Sequence, residues 1–401
     1  MAGPLDGVKV VACSIAQAGT VPYSLMADLG ADVIKIEVPG TGDGSRRSPG
    51  ASEWPSSYFE TNNRGVRSLT LNLKTGEGRE VLYKLIENAD VFGQNFRPGA
   101  AEKNGFGYED LKKINPKMVY VSISGYGPEG PHGDLPATDA MAQALGGITE
   151  VFSTSGQLMK TGIASVADET CAMLAFGGML AGLYCAKMTG VGQKIDTSLL
   201  GGQIRLMGWT LTNTMWRNEN PVTGRARITG SPRRPGISAS FNDSEGKPFV
   251  FQLAGAQWQR AMTALGFYDE LQEAGFGDLG VAVASEEARA AMLEKLDQLF
   301  AAGTRARWVE ILRGADIVSA PTNTMLEASK DPDVLANGYV TEVEYPAFGK
   351  TLKVHGSPWQ FSETPPSIGI APTLGEHNGE ILTALGYSEA QIGALRDQQI
   401  I

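Results

Sequence analysis

Residues Val8–Glu37 read VKVVACSIAQAGTVPYSLMADLGADVIKIE. The run Val8–Ala12 is apolar apart from Lys9, as expected of a strand covered on both faces. Val21–Leu29 reads as a helix and Ala31–Glu37 as a second strand. Strand, helix and strand in so short a span form a βαβ unit with parallel strands. The alternation continues outward. Ser68–Leu73 reads as a strand, Lys74–Asn88 as a helix and Asp90–Gln94 as a short strand. Tyr108–Ile114 then reads as a helix and Met118–Ile123 as a strand. Repeated βα order predicts an α/β fold with a Rossmann-like large domain built on a parallel, helix-covered sheet.

The character changes after about residue 225. Ile237–Phe241 and Phe249–Leu253 flank SEGK as a hairpin, and helical patterns follow at Ala256–Leu265, Glu286–Ala301 and Arg305–Arg313. We therefore expect a large domain over 1–224, a smaller α+β domain over 225–330, and a last section over 331–401. That section carries VTEVEYP, TLKVHG and a helical pattern from Glu376.

Composition excludes several classes. Apolar residues are 42% of the 401, and charged residues 19%, which suits a chain with a substantial core rather than a disordered one. The net charge of −10 argues against a broad nucleic-acid surface. Cys13, Cys171 and Cys185 form no disulfide framework, so a reducing, cytoplasmic setting is expected. His132, His355 and His377 lack zinc-site spacing, so no metal is expected. Cys171–Ala186 is the most apolar long stretch; it reads as a buried helix too short to span a membrane, and no signal peptide is expected.

Some motifs fail on inspection. Gly125–Gly130 reads GYGPEG, matching the dinucleotide fingerprint, but Pro128 and Pro131 obstruct the helix that must begin there. The expectation is a glycine loop. Neither a GxSxG elbow nor a Walker loop is present.

Eight phrases in order carry a resemblance over nearly the whole chain. They run from LDGVKV at Leu5 and AQAG at Ala16–Gly19 through LGADVIKIE at Leu29–Glu37 and LNLKTGEG at Leu71–Gly78. NFRPG at Asn95–Gly99, SGYGPEGP at Ser124–Pro131, TGVGQKIDTSLL from Thr189 and LGEHNGEILTALGY at Leu374–Tyr387 follow. The sequence resembles the family III CoA-transferases. The resemblance implies transfer of CoA from an acyl-CoA donor, succinyl-CoA among the candidates, to a free carboxylic acid. It implies a CoA thioester as substrate with no permanently bound cofactor. It also implies an interlocked homodimer in which 331–401 completes the large domain, with a heteromer containing a related subunit as the alternative.

The family's catalytic aspartate falls on Asp168 in SVADETCAMLAFGG. From spacing alone, an aspartate there is an ordinary N-cap. As a nucleophile near a helix N-terminus it is expected to be stabilised as an anion. Glu169 beside it reads as a surface or capping-turn carboxylate. The resemblance places Gln17 and Ala18 near the thioester. It places Lys74, Asn95, Phe96, Arg97 and Lys103 along the nucleotide and pantetheine path. Two departures stand out. Val38 occupies a position where formyl-CoA transferases carry an arginine, so Arg46 or Arg47 is expected to supply that charge. Their active-site glycine run has no counterpart between 225 and 262, which puts formate and oxalate in doubt.

Two alternatives stay open. An α-methylacyl-CoA racemase-like enzyme needs a histidine base where this chain has Thr138, and His132 lies six residues earlier. A subunit whose partner holds the catalytic group is the other. Arg225, Arg227, Arg233 and Arg234 form a basic cluster read either as a solvated linker or as a clamp for a second carboxylate.

Overall fold

The computed structural model describes residues 3–47, 55–153, 165–221, 227–231 and 233–401. Six parallel strands form the main sheet: β1 (Lys9–Cys13), β2 (Asp32–Glu37), β3 (Arg67–Thr70), β4 (Val91–Gln94), β5 (Val119–Ser124) and β6 (Lys194–Ser198). Their order is β3-β2-β1-β4-β5-β6. Val10 lies opposite Val33 on one side and Val91 on the other. Alternation along β1 feeds two separate cores. Val10 and Ala12 join Leu25, Met26, Ala172 and Met179 on one face. Val11 and Cys13 join Val81, Leu82, Leu111, Ile381 and Leu395 on the other. Two long-range hydrogen bonds tie the last section to this sheet: the Gly65 N–H donates to Ile370, and the His377 N–H to Ser68.

The chain separates into two compact units. The first contains the parallel sheet and Leu335–Ile401, including the antiparallel hairpin Val340–Tyr345 and Lys350–His355. The second spans Val222–Val334 and has its own four-stranded antiparallel sheet, with an aromatic core of Phe241, Phe249, Phe251 and Phe300. Its SEGK hairpin is held by Asp243, whose carboxylate accepts from the N–H groups of Glu245, Lys247 and Arg305 at 2.7–2.8 Å.

Three features depart from the sequence reading. First, β6 is a strand that periodicity did not announce. KIDTS is polar and half-buried at the sheet edge, where no continuous apolar run is needed. Second, the apolar stretch around Cys171–Ala186 belongs to a helix running Val166–Thr189, 24 residues, and is not a fully buried one. Only Ala167, Cys171, Ala172, Ala175, Phe176, Met179 and Gly182 are buried, at the spacing of one helical face. By length and composition this helix is also sufficient to cross a membrane, contrary to the expectation that it is too short. Third, the basic cluster is not simply linker: Arg227 opens the strand Arg227–Ser231 and Arg234 opens Arg234–Asn242. Arg225 lies outside the described residues.

Candidate active site

Strand order reverses direction at β1 and β4, so the loops leaving their carboxyl ends diverge and open a crevice. Asn95 follows β4 and pins the loop that follows β1. Its Oδ1 accepts from the Ile15 N–H at 3.0 Å, and its Nδ2 donates to the Ile15 carbonyl at 2.8 Å. Gly19 completes this fit: a Cβ there would lie 2.3 Å from Asn95 Nδ2. Ala16 holds a positive φ of 60°, which turns the loop over the end of the sheet.

A cavity of about 400 Å³ occupies the crevice. Ala18, Tyr58, Asn95, Phe96, Arg97 and Asp168 are among its walls, and Ser124, Gly125, Thr138 and Asp139 close the far side. The glycine loop belongs here. No helix begins within residues 125–130, and Gly125 lies so close to Ala137 that a Cβ would stand 2.2 Å from the alanine methyl. His132 is exposed beside Tyr126, outside the cavity walls, while Thr138 lines them.

Asp168 sits in the first turn of the helix Val166–Thr189 but does not cap it. The cap comes from Asp139, in another helix. Its Oδ1 accepts from the N–H groups of Ala167 at 2.7 Å and Asp168 at 3.1 Å. Gln143 Nε2 donates to the other Asp139 oxygen. The expectation that the helix end lowers the Asp168 pKa is therefore corrected. Burial, then the negative charges of Asp139 and Glu169, push its carboxyl up to about 6. It remains mostly ionised at neutral pH, but as a destabilised anion.

Glu169 is also reassigned. It is half-buried and accepts a 2.6 Å hydrogen bond from Gln17 Nε2. Gln17 is buried and Ala18 lines the cavity, so the β1 loop is tied directly to the residue beside Asp168. Tyr58, which sequence reasoning missed, shares the cavity. Burial and the charge of Asp168 push its phenol up to about 12, so it keeps its proton as a donor.

A second cavity of about 700 Å³ adjoins the first through Phe96, which lines both. Ile36, Val38, Leu71, Asn72, Lys74, Phe106, Arg396 and Gln399 contribute to it. The proposed cation Arg46 is used elsewhere. Its Nε and Nη2 grip Glu37 at 2.8 and 2.6 Å, Nη1 donates to Pro372 O at 2.9 Å, and the guanidinium lies 3.8 Å over the Phe59 ring. These contacts clamp β2 to the last section. Arg47 and Lys103 are exposed and line neither cavity.

Comparison with known proteins settles the class. The description CoA-transferase family III matches residues 5–378. The chain belongs to CoA-transferase family III. Relatives named formyl-CoA:oxalate CoA-transferase are 31% identical in Escherichia coli O157:H7 (strain EC4115 / EHEC), with both chains fully covered. In Rhodopseudomonas palustris (strain TIE-1) the identity is 32%, covering 99% of this chain and 97% of the relative. Among solved structures, a CAIB/BAIF family protein from Brucella suis superposes with a TM-score of 0.84 at 28% identity, covering 96% of this chain and all of the other. Rv3272 from Mycobacterium tuberculosis superposes at 0.78 and 26%, covering 94% and 99%. The sequence-based expectation of a CoA-transferase thus holds at the level of the family, and the α/β fold with its parallel sheet agrees with these neighbours.

Proposed function

We propose that this family III chain moves CoA from an acyl-CoA to a free carboxylic acid through a covalent intermediate on Asp168. The observation that carries the reading is a destabilised carboxylate, without a side-chain hydrogen-bond partner among the described residues, facing a cavity at the sheet's switch point. An Asp168 oxygen attacks the thioester carbonyl carbon, and the C–S bond breaks to leave an acyl-aspartyl anhydride and CoA thiolate. The thiolate attacks the aspartyl carbonyl, releasing the donor's carboxylate and leaving aspartyl-CoA. The acceptor carboxylate then attacks that thioester, and the returning thiolate takes the new acyl group and frees Asp168. Protons need not move at carbon. Tyr58 is suited to donate to the oxyanion that develops. Formyl-CoA with oxalate, after the relatives' names, and succinyl-CoA with a dicarboxylate are the first pairs to compare.

The racemase reading is separated by isotope. A racemase removes and returns an α-proton, so it incorporates solvent deuterium into its acyl-CoA without any free acid. Here no deuterium should enter an α-methylacyl-CoA in heavy water, whereas label should pass between an acyl-CoA and its own free acid. Deuterium entering at a catalytic rate would make Asp168 a base, and the transferase mechanism would be wrong.

We place the chain in the cytoplasm as a homodimer. Cys13 and Cys171 are free buried thiols, as suits a reducing compartment. Tyr184 and Met188 on the long helix are exposed, and Trp209 and Trp216 on Gly208–Arg217 are 82% and 85% exposed. Apolar side chains this bare on two helices favour cover by a second copy. Sedimentation should give twice 42.5 kDa down to nanomolar dilution. A folded monomer at working concentration would reject the dimer.

A further inference from the structure

We infer that Arg396, together with Lys74, holds a phosphate group of CoA in the larger cavity; this rests on the CoA reading above and assigns its phosphate contact. The cavity is about 700 Å³, ample for a nucleotide, and its cations among the described residues are Lys74 and Arg396. Its one acidic wall residue, Glu37, is already neutralised by Arg46 and by hydrogen bonds from Ser68 and the Asp43 N–H. Val38 contributes only an apolar surface. A phosphate entering this space therefore meets two cationic side chains and no unpaired acidic side chain.

The two cations come from distant parts of the sequence, and the backbone fixes them together. Lys74 lies in the turn between β3 and the helix Gly76–Ile86, while Arg396 lies in the last turn of Glu389–Asp397. The chain then reverses at Gln399, which has a positive φ of 56° and itself lines the cavity. That reversal returns Ile400 to the core, where its carbonyl accepts from the Asn72 N–H at 2.8 Å. The turn carrying Lys74 is thereby stapled to the end of the helix carrying Arg396. An arginine in a last helical turn can serve only to complement the helix dipole. Solvent is enough for that role, and it explains neither the shared cavity nor the staple.

The test is calorimetric binding of CoA, dephospho-CoA and pantetheine to the full chain and to Arg396→Gln and Arg396→Lys. Arg396→Gln should weaken CoA roughly ten- to hundredfold, the worth of a charge-assisted contact, and Arg396→Lys should recover part of it. A loss confined to CoA assigns the 3′-phosphate. A loss shared by dephospho-CoA assigns the pyrophosphate. In either case pantetheine is unaffected. Unchanged CoA affinity in Arg396→Gln overturns this assignment while leaving the transferase reading intact, and so does an equal loss on pantetheine. If the unmutated chain binds no CoA, both readings fall together.

Discussion

Asp168→Ala is expected to lose CoA transfer by roughly a thousandfold or more while the chain still folds and still binds CoA. A covalent nucleophile has no substitute nearby, because Glu169 is engaged by Gln17 and Asp139 by the helix end. Folding should not suffer. Two N–H groups of the first helical turn are satisfied by Asp139, so removing the Asp168 carboxylate removes no cap. It also relieves like-charge repulsion, so stability should stay level or rise. In the unmutated enzyme, hydroxylamine with acyl-CoA should trap the activated carboxyl, and peptide mapping should place the adduct on Asp168. The pH profile carries the same logic. Asp168 must be ionised to attack, so transfer should decline as pH falls through about 6. Asp139→Asn keeps an oxygen for the cap but removes the neighbouring charge. That limb should then move to lower pH. Transfer in Asp168→Ala within tenfold of the unmutated rate would reject the covalent mechanism.

How much of this was legible in the sequence depended on where each residue's partners lie. β1, β2 and β5 were readable because strands buried on both faces are rich in Val and Ile, even where β2 also buries Lys35 and Glu37. β6 was not, since a polar edge strand has the composition of a loop. Asp168 stood out through resemblance, but its electrostatics were misjudged. The cap that frees its carboxylate comes from Asp139, 29 residues away, and no local spacing links the two. The contacts of Arg46 were hidden for the same reason: a sequence displays a cation but not the Glu37 and Phe59 that engage it. Arg396 went unnoticed because a charged residue in a last helical turn ordinarily needs no explanation. Tyr58 had no motif at all, and only the cavity brings it to Asp168. Local apolar pattern therefore carried most of the fold. The site depends on pairings across the sheet that the pattern does not encode.

Arg64→Ala should cost about 3–5 kcal/mol of stability. Arg64 and Asp28 form a buried ion pair with side chains only 3% and 1% exposed. Nη2 donates to Oδ2 at 2.6 Å and Nε to Oδ1 at 3.1 Å. Burial outweighs the guanidinium and holds the Asp28 carboxyl above its ordinary value, so the pair is costly even when intact. Arg64 also donates to the carbonyls of His355 and Gly356, fastening the end of the late hairpin to the first unit's core. Deleting Arg64 thus leaves a buried carboxylate unpaired and removes the guanidinium donor from the His355 carbonyl. The double variant Arg64→Met with Asp28→Leu removes the stranded charge and should recover part of the loss, but not all, because the His355 carbonyl still lacks its guanidinium donor. His355 adds a pH signature. Burial, then the Arg64 charge, lower its pKa, so the folded state binds fewer protons than the unfolded one. Stability contributed here is present above about pH 6.5 and is lost as pH falls below it. Urea unfolding of the unmutated chain should show that decline, and His355→Gln should flatten it. An Arg64→Ala midpoint within error of the unmutated protein would mean that the pair and its carbonyl contacts do not hold the last section in place.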